Sequence, residues 1–112
     1  MRCPRLTRRL RLQECQKLAD GAGGFSESWQ VLGTLWAELV AGSGKEHAAE
    51  TGTTAQVPYR ITLRAAPLGN PRRPKPGQRF AEAGRIFHIE AVAERDAAGR
   101  YLICFATEEV LT

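Results

Sequence analysis

Residues 84–106 read Gly84-Arg85-Ile86-Phe87-His88-Ile89-Glu90-Ala91-Val92-Ala93-Glu94-Arg95-Asp96-Ala97-Ala98-Gly99-Arg100-Tyr101-Leu102-Ile103-Cys104-Phe105-Ala106. Two runs rich in β-branched and aromatic residues flank a polar centre, the pattern of a β-hairpin. Asp96 stands at the first turn position and Gly99 where a positive φ is wanted. Both arms are apolar on both faces. Phe87, Ile89 and Ala91 share one side of the first arm, with Ile86 and Val92 near the other. In the second arm Tyr101, Ile103 and Phe105 alternate with Leu102, Cys104 and Ala106. Strands of this kind are usually covered on both sides.

Upstream, Pro58-Tyr59-Arg60-Ile61-Thr62-Leu63-Arg64 alternates cleanly, with Tyr59, Ile61 and Leu63 facing inward. Gln78-Arg79-Phe80 reads as a short strand, and Glu82-Ala83-Gly84 as a tight turn into the hairpin. At the start of the chain, residues 6–18 read as a half-buried strand with Leu10 and Leu12 inward and arginines outward; a helix is the competing reading, because Leu, Arg, Gln and Lys also favour helices. Asp20-Gly21-Ala22-Gly23-Gly24 forces a turn. Two further runs, residues 25–31 and 34–40, are separated by Gly33. The expected core is Leu10, Leu12, Trp29, Trp36, Ile61, Leu63, Phe87, Ile89, Ile103 and Phe105.

Two stretches do not read as core. Residues 42–56 contain no large apolar side chain, and a loop this long is usually functional or disordered. One or two helical turns fit residues 45–50. Residues 67–77 hold four prolines and two glycines and read as an extended, partly polyproline connector. The sum is a mainly β chain: a single domain over residues 1–112, forming a small antiparallel β-barrel of six to seven strands. Closure is the economical way to remove the edges of strands this short.

The composition excludes several classes. No apolar run approaches the roughly 20 residues of a membrane span, and the basic N-terminus lacks a signal-peptide apolar region, so synthesis in the cytosol is expected. Cys3, Cys15 and Cys104 are odd in number and show neither disulfide nor zinc spacing. His47 and His88 belong to no nameable catalytic or metal arrangement, and Gly42-Ser43-Gly44-Lys45 lacks the rest of a phosphate loop. No enzyme, metal or cofactor is expected. The net charge of +4 is unevenly spread. Residues 1–17 hold six cations against Glu14, and Arg72, Arg73, Lys75 and Arg79 stand without an acid, whereas Glu108 and Glu109 lie near the end. Such asymmetry suits partners of opposite charge. Glu27 and Glu38 beside the tryptophans disfavour base stacking.

The ordered set Asp-Gly-x-Gly-Gly-Phe-x-x-x-Trp, Leu-Trp-Ala-Glu-Leu-Val, Tyr-Arg-Ile-Thr-Leu-Arg, Pro-Gly-Gln-Arg-Phe, Gly-Arg-Ile-Phe-His-Ile-Glu-Ala-Val and Tyr-Leu-Ile-Cys-Phe-Ala-Thr-Glu-Glu-Val resembles the phage head–tail joining (head-closure, or stopper) proteins over nearly the whole chain. It is most similar to the gene transfer agent version. That resemblance implies a virion protein, assembled in the bacterial cytoplasm, that forms a homo-oligomeric ring, expected as a hexamer, in the particle neck. An adaptor or portal ring would lie on the head side and a tail terminator or tail tube protein on the tail side. Double-stranded DNA would pass through the channel, which the ring would close in some relatives.

The family's small-residue loop matches Gly42, Ser43, Gly44, Lys45, Glu46, His47, Thr51, Thr53 and Thr54, implying a channel or subunit contact there. Arg72, Arg73, Lys75 and Arg79 are expected to contact an adjacent ring or subunit. The rival expectation is a stand-alone nucleic-acid-binding barrel of the OB or SH3-like kind.

Overall fold

The computed structural model describes residues 3–42 and 54–111. Six strands follow one another: β1 (Arg8–Ala19), β2 (Phe25–Ala41), β3 (Thr54–Arg64), β4 (Arg79–Glu82), β5 (Arg85–Glu94) and β6 (Tyr101–Leu111). All neighbours are antiparallel in the order β1-β2-β3-β6-β5-β4, and β4 pairs back to β1 to close the barrel. Among the described residues there is no helix, and the stretch read over residues 6–18 is the strand β1, Arg8–Ala19. The helical turns expected over residues 45–50 lie outside the described residues.

Inward positions alternate along every strand, as a pleat demands. Leu10 and Leu12 from β1, Ala37 from β2, Ile61 and Leu63 from β3, Phe80 from β4, Phe87 and Ile89 from β5, and Leu102, Cys104 and Ala106 from β6 make one core cluster. Phe80 and Leu102 are fully buried although neither stood among the expected core residues. Burial pushes the Cys104 thiol up to about 12, against a small opposing pull from Arg73.

Four expected core residues take other places. Trp36 is 54% exposed and Phe105 41% exposed, while Trp29 and Ile103 are half-buried. The reason is local register. Leu12 pairs with Gly33 but Gln13 pairs with Val31, so Leu32 is an extra residue, a β-bulge. The bulge joins the two expected runs into the single strand β2 and puts Trp29 and Trp36 on the outer face together. In β6 both faces are apolar, and the inward set is Leu102, Cys104 and Ala106. Ile103 and Phe105 therefore point out, and the outer wall of the hairpin stays open at Phe105. A second bulge at Glu90 moves Ala91 to the outer face opposite Phe105.

The turns follow their chemistry. Gly99 has φ of 67°, and Asp96 accepts from the Gly99, Arg100 and Tyr101 amides, the first through its carbonyl. Between β4 and β5 the two-residue loop puts both Ala83 (φ 47°) and Gly84 (φ 87°) in the left-handed region, the requirement of a type I′ hairpin. Alanine pays a steric cost there that Asn or Gly avoids. Ala83→Asn should therefore raise stability by about 0.5–1 kcal/mol, read as a higher urea midpoint at unchanged slope. Phe80→Ala should lower it by about 3–5 kcal/mol, read in the same titration.

Candidate assembly surfaces

Two ends, an arm and an outer cleft distinguish the barrel. At one end the inward parity of five strands runs out into polar side chains: Arg8 before Leu10, Glu82 after Phe80, Arg85 before Phe87, Glu108 after Ala106 and Tyr59 before Ile61. They pair across the mouth. Arg8 Nε donates to Glu82 Oε2 at 2.8 Å. Arg85 grips Glu108 with two donors, at 2.7 and 3.1 Å, and donates to the Tyr59 hydroxyl at 3.2 Å. Its guanidinium also lies 5.1 Å from the Phe87 ring centre, and Tyr59 meets Phe87 edge-on at 5.2 Å. A two-donor Arg–carboxylate fork is among the stronger polar contacts. The hydrogen bond from Arg8 holds the Glu82 carboxyl below its usual range, with burial opposing; the hydrogen bonds that Arg85 donates to Glu108 raise Arg85.

This arrangement corrects the expectation of a free acidic end. Glu108 is turned inward and paired with Arg85, and Glu109 lies 3.1 Å from His88. The single signal that marked them was charge, whereas parity with Ala106 would have turned Glu108 inward.

At the other end the Pro-rich segment folds back over the barrel rather than running extended. Asn70 N bonds Pro67 O, Arg73 N bonds Asn70 O, and the Asn70 side chain accepts from Arg72 N at 2.8 Å. Pro74 is fully buried, and Gln78 ties Lys75 N to the Glu14 carboxylate. The basic residues here have partners within the chain. Arg72 donates to Thr34 O at 2.6 Å, Arg73 to Ala66 O at 2.8 Å and Arg79 to Gln13 Oε1 at 2.6 Å. Arg79 also stacks 4.0 Å over Trp29, a contact worth about 0.5–1 kcal/mol at an exposed site. Arg72 and Lys75 remain exposed, and Arg73 and Arg79 half-buried. The structure thus brings Arg79 to Trp29 and Arg72 to β2, and does not gather the four into one cluster.

The arm is the far half of the β1–β2 hairpin. β1 pairs with β4 only through residues 11–13, and β2 with β3 only from Ala37 onward. Beyond those points the two strands pair with each other alone. The described chain measures 53 × 37 × 23 Å with a radius of gyration of 15.3 Å, against about 13 Å for a compact chain of this length. Phe25 at the arm tip is 71% exposed and Leu18 55%.

The outer cleft opens where β2 and β3 part. Leu6, Leu35, Leu63 and Ala66 line it, with Trp36, Arg64 and Arg72 at hand, and its volume is about 290 Å³. Trp36 pairs in register with Arg9 of β1, with Arg11 two residues on. An exposed tryptophan beside arginines is what the sequence, with Glu27 and Glu38 nearby, argued against; Trp36 had been assigned to the core.

Of the expected loop contacts, Gly42 donates to Pro58 O at 2.8 Å, and Thr54 opens β3 opposite Leu111. Ser43, Gly44, Lys45, Glu46, His47, Thr51 and Thr53 lie outside the described residues. No group of three or more potential metal ligands occurs among the described residues, none of the cysteines is in a disulfide, and no described helix is long and apolar enough to cross a membrane.

The phage head completion protein family matches residues 1–109. The chain belongs to that family. Membership puts it among the structural proteins of phage-like virions. A chain from the virion of a native gene transfer agent (GTA) particle is similar over 98% of this chain and 100% of its own, at 57% identity and a TM-score of 0.84. Protein SF1141 from Shigella flexneri 2a is similar over 96% of each chain, at 27% identity and a TM-score of 0.68. A comparison with curated proteins finds no match.

The mouth pairing has a pH signature. A carboxyl held below its unfolded value stabilises the fold above that value, about 4.3, and the stabilisation is lost as pH falls through the folded value. The stability difference between the wild type and Arg8→Ala should therefore be present at pH 7, amount to no more than about 1 kcal/mol for a half-exposed pair, and shrink on acidification below about pH 4. Urea titrations of both proteins across that range measure it.

Proposed function

We propose that this head completion protein is a neck component of a tailed, phage-like particle that forms a homo-oligomeric ring, a hexamer, between the portal or adaptor and the tail. The reading rests on one observation: the family match spans residues 1–109, and the chain of a GTA virion is 57% identical over its whole length. Within the reading, residues 1–112 act as a single joining domain. The loop read over residues 42–56 is shorter, because Thr54–Gln56 already belong to β3; the stretch between β2 and β3 serves a contact at the channel axis or with a neighbouring subunit, and the ring closes the channel on packaged DNA. The exposed faces of Arg72 and Lys75, with Arg73 and Arg79 behind them, serve protein contacts within the neck. Strong phosphate binding along a conduit would slow DNA passage, because each neutralised phosphate adds salt-dependent affinity.

Particles produced without this protein should carry heads and lack joined tails by electron microscopy. Normal tailed particles would overturn the reading.

The exposed Trp36 beside Arg9 favours a second reading, a stand-alone nucleic-acid-binding barrel. Intact duplex DNA keeps its bases stacked and offers Trp36 no free face, so that reading needs single strands. Fluorescence anisotropy of a labelled single strand with the purified protein should show weak binding; tight, salt-sensitive binding would favour the second reading.

A further inference from the structure

We infer that the tip of the β1–β2 arm of one copy docks, through Phe25, in the Trp36-edged cleft of the next copy. The inference rests on the ring reading and gives the ring its contact. Three observations carry it. First, the arm is braced only at its base, where Arg79 stacks on Trp29 and Gln78 bonds Glu14: a two-stranded ribbon is at best marginally stable in water, and beyond Trp29 the two strands pair only with each other, with Phe25 at the tip 71% exposed.

Second, the cleft matches that tip in chemistry. Its floor is Leu6, Leu35, Leu63 and Ala66, and its volume is about 290 Å³; an apolar cavity of about 150 Å³ already takes a benzene ring. Arg64 and Arg72 stand at it, and among the described residues no carboxylate lines it. The tip supplies the opposite charge. Lys17 and Glu27 face each other in register, which leaves the Asp20 carboxylate as the net charge. Asp20 accepts from the Ala22 and Gly24 amides at 2.8 and 3.0 Å, and those bonds keep it ionised. A Trp and an Arg beside an apolar pocket are also the residue types that dominate binding at protein interfaces.

Third, a tip that fills this cleft comes from another copy. Phe25 and Trp36 lie on the same continuous strand, roughly 35 Å apart at the rise of a β-strand. Phe25 therefore cannot fold back into its own cleft. Tip and cleft are different surfaces, so the contact is heterologous and repeats from copy to copy until it closes into a ring.

The test uses assembled particles. Ser26→Cys, beside Phe25 at the exposed tip, and Ala66→Cys are combined in a Cys3→Ser, Cys15→Ser background and treated with a short bismaleimide. Cys104 is buried in the core and stays unlabelled. A ladder of covalent multiples on a denaturing gel is expected from the double variant and from neither single one. Its absence from particles whose neck ring is visible by electron microscopy overturns the docking and leaves the ring reading standing. Absence of any ring from wild-type particles overturns both. In parallel, Phe25→Asp should reduce incorporation into particles at least tenfold while Phe25→Leu preserves it, with both purified proteins melting as the wild type does. Equal incorporation of the Asp variant overturns the docking.

Discussion

Three residue pairs between β1 and β4, Arg11 with Ala81, Leu12 with Phe80 and Gln13 with Arg79, turn a curled sheet into a closed barrel. Without them β1 and β4 would both be edges, open to pairing with other chains. The pairs also bring Phe80 against Leu12, two side chains with no exposed surface. β4 is only four residues long and is held on its other flank by β5 through the tight Ala83–Gly84 loop. The core therefore depends on a short strand being delivered in register. The folded-back segment before it, with Pro74 buried and Gln78 bonded to Glu14, does that delivery.

The shortness of the closing strand has a second consequence. β1 runs on for six residues beyond its last partner in β4, and β2 has no partner but β1 until Ala37. A barrel built from strands of unequal length must leave the long ones projecting, and here they project as the arm. The charges behave in the complementary way. At the mouth, inward positions occupied by Arg8, Glu82, Arg85 and Glu108 are neutralised in pairs over Phe87 and Tyr59. The net positive charge is thus carried by residues on the outer walls, Arg9, Arg11, Arg64 and Arg72 among them.

Much of the fold was legible because period-2 alternation maps directly onto a pleat. Tyr59, Ile61 and Leu63 could be oriented from their arginine and threonine neighbours, and Asp96 and Gly99 announced their turn. Trp36 and Phe105 could not be oriented. Phe105 sits in a strand apolar on both faces, so alternation supplies two equivalent answers. Trp36 lies past a bulge at Leu32, and one inserted residue exchanges the two faces of everything on one side of it. The Arg-rich segment was legible as irregular, but its anchoring to Thr34 O and Ala66 O joins residues distant in the chain and left no local sign.

From the residues alone came the mainly β class, the turn positions, the irregular segments and the resemblance to head-joining proteins. Each rests on nearest-neighbour chemistry: which side chains tolerate a strand, which φ a turn needs, and in what order the motifs follow. Only the tertiary structure decided which face of β2 and β6 points inward, that Glu108 is matched to Arg85, and that an arm and a cleft stand on one molecule. Those outcomes depend on closure, and closure is a contact between residues almost seventy positions apart, Leu12 and Phe80, whose pairing no local pattern encodes.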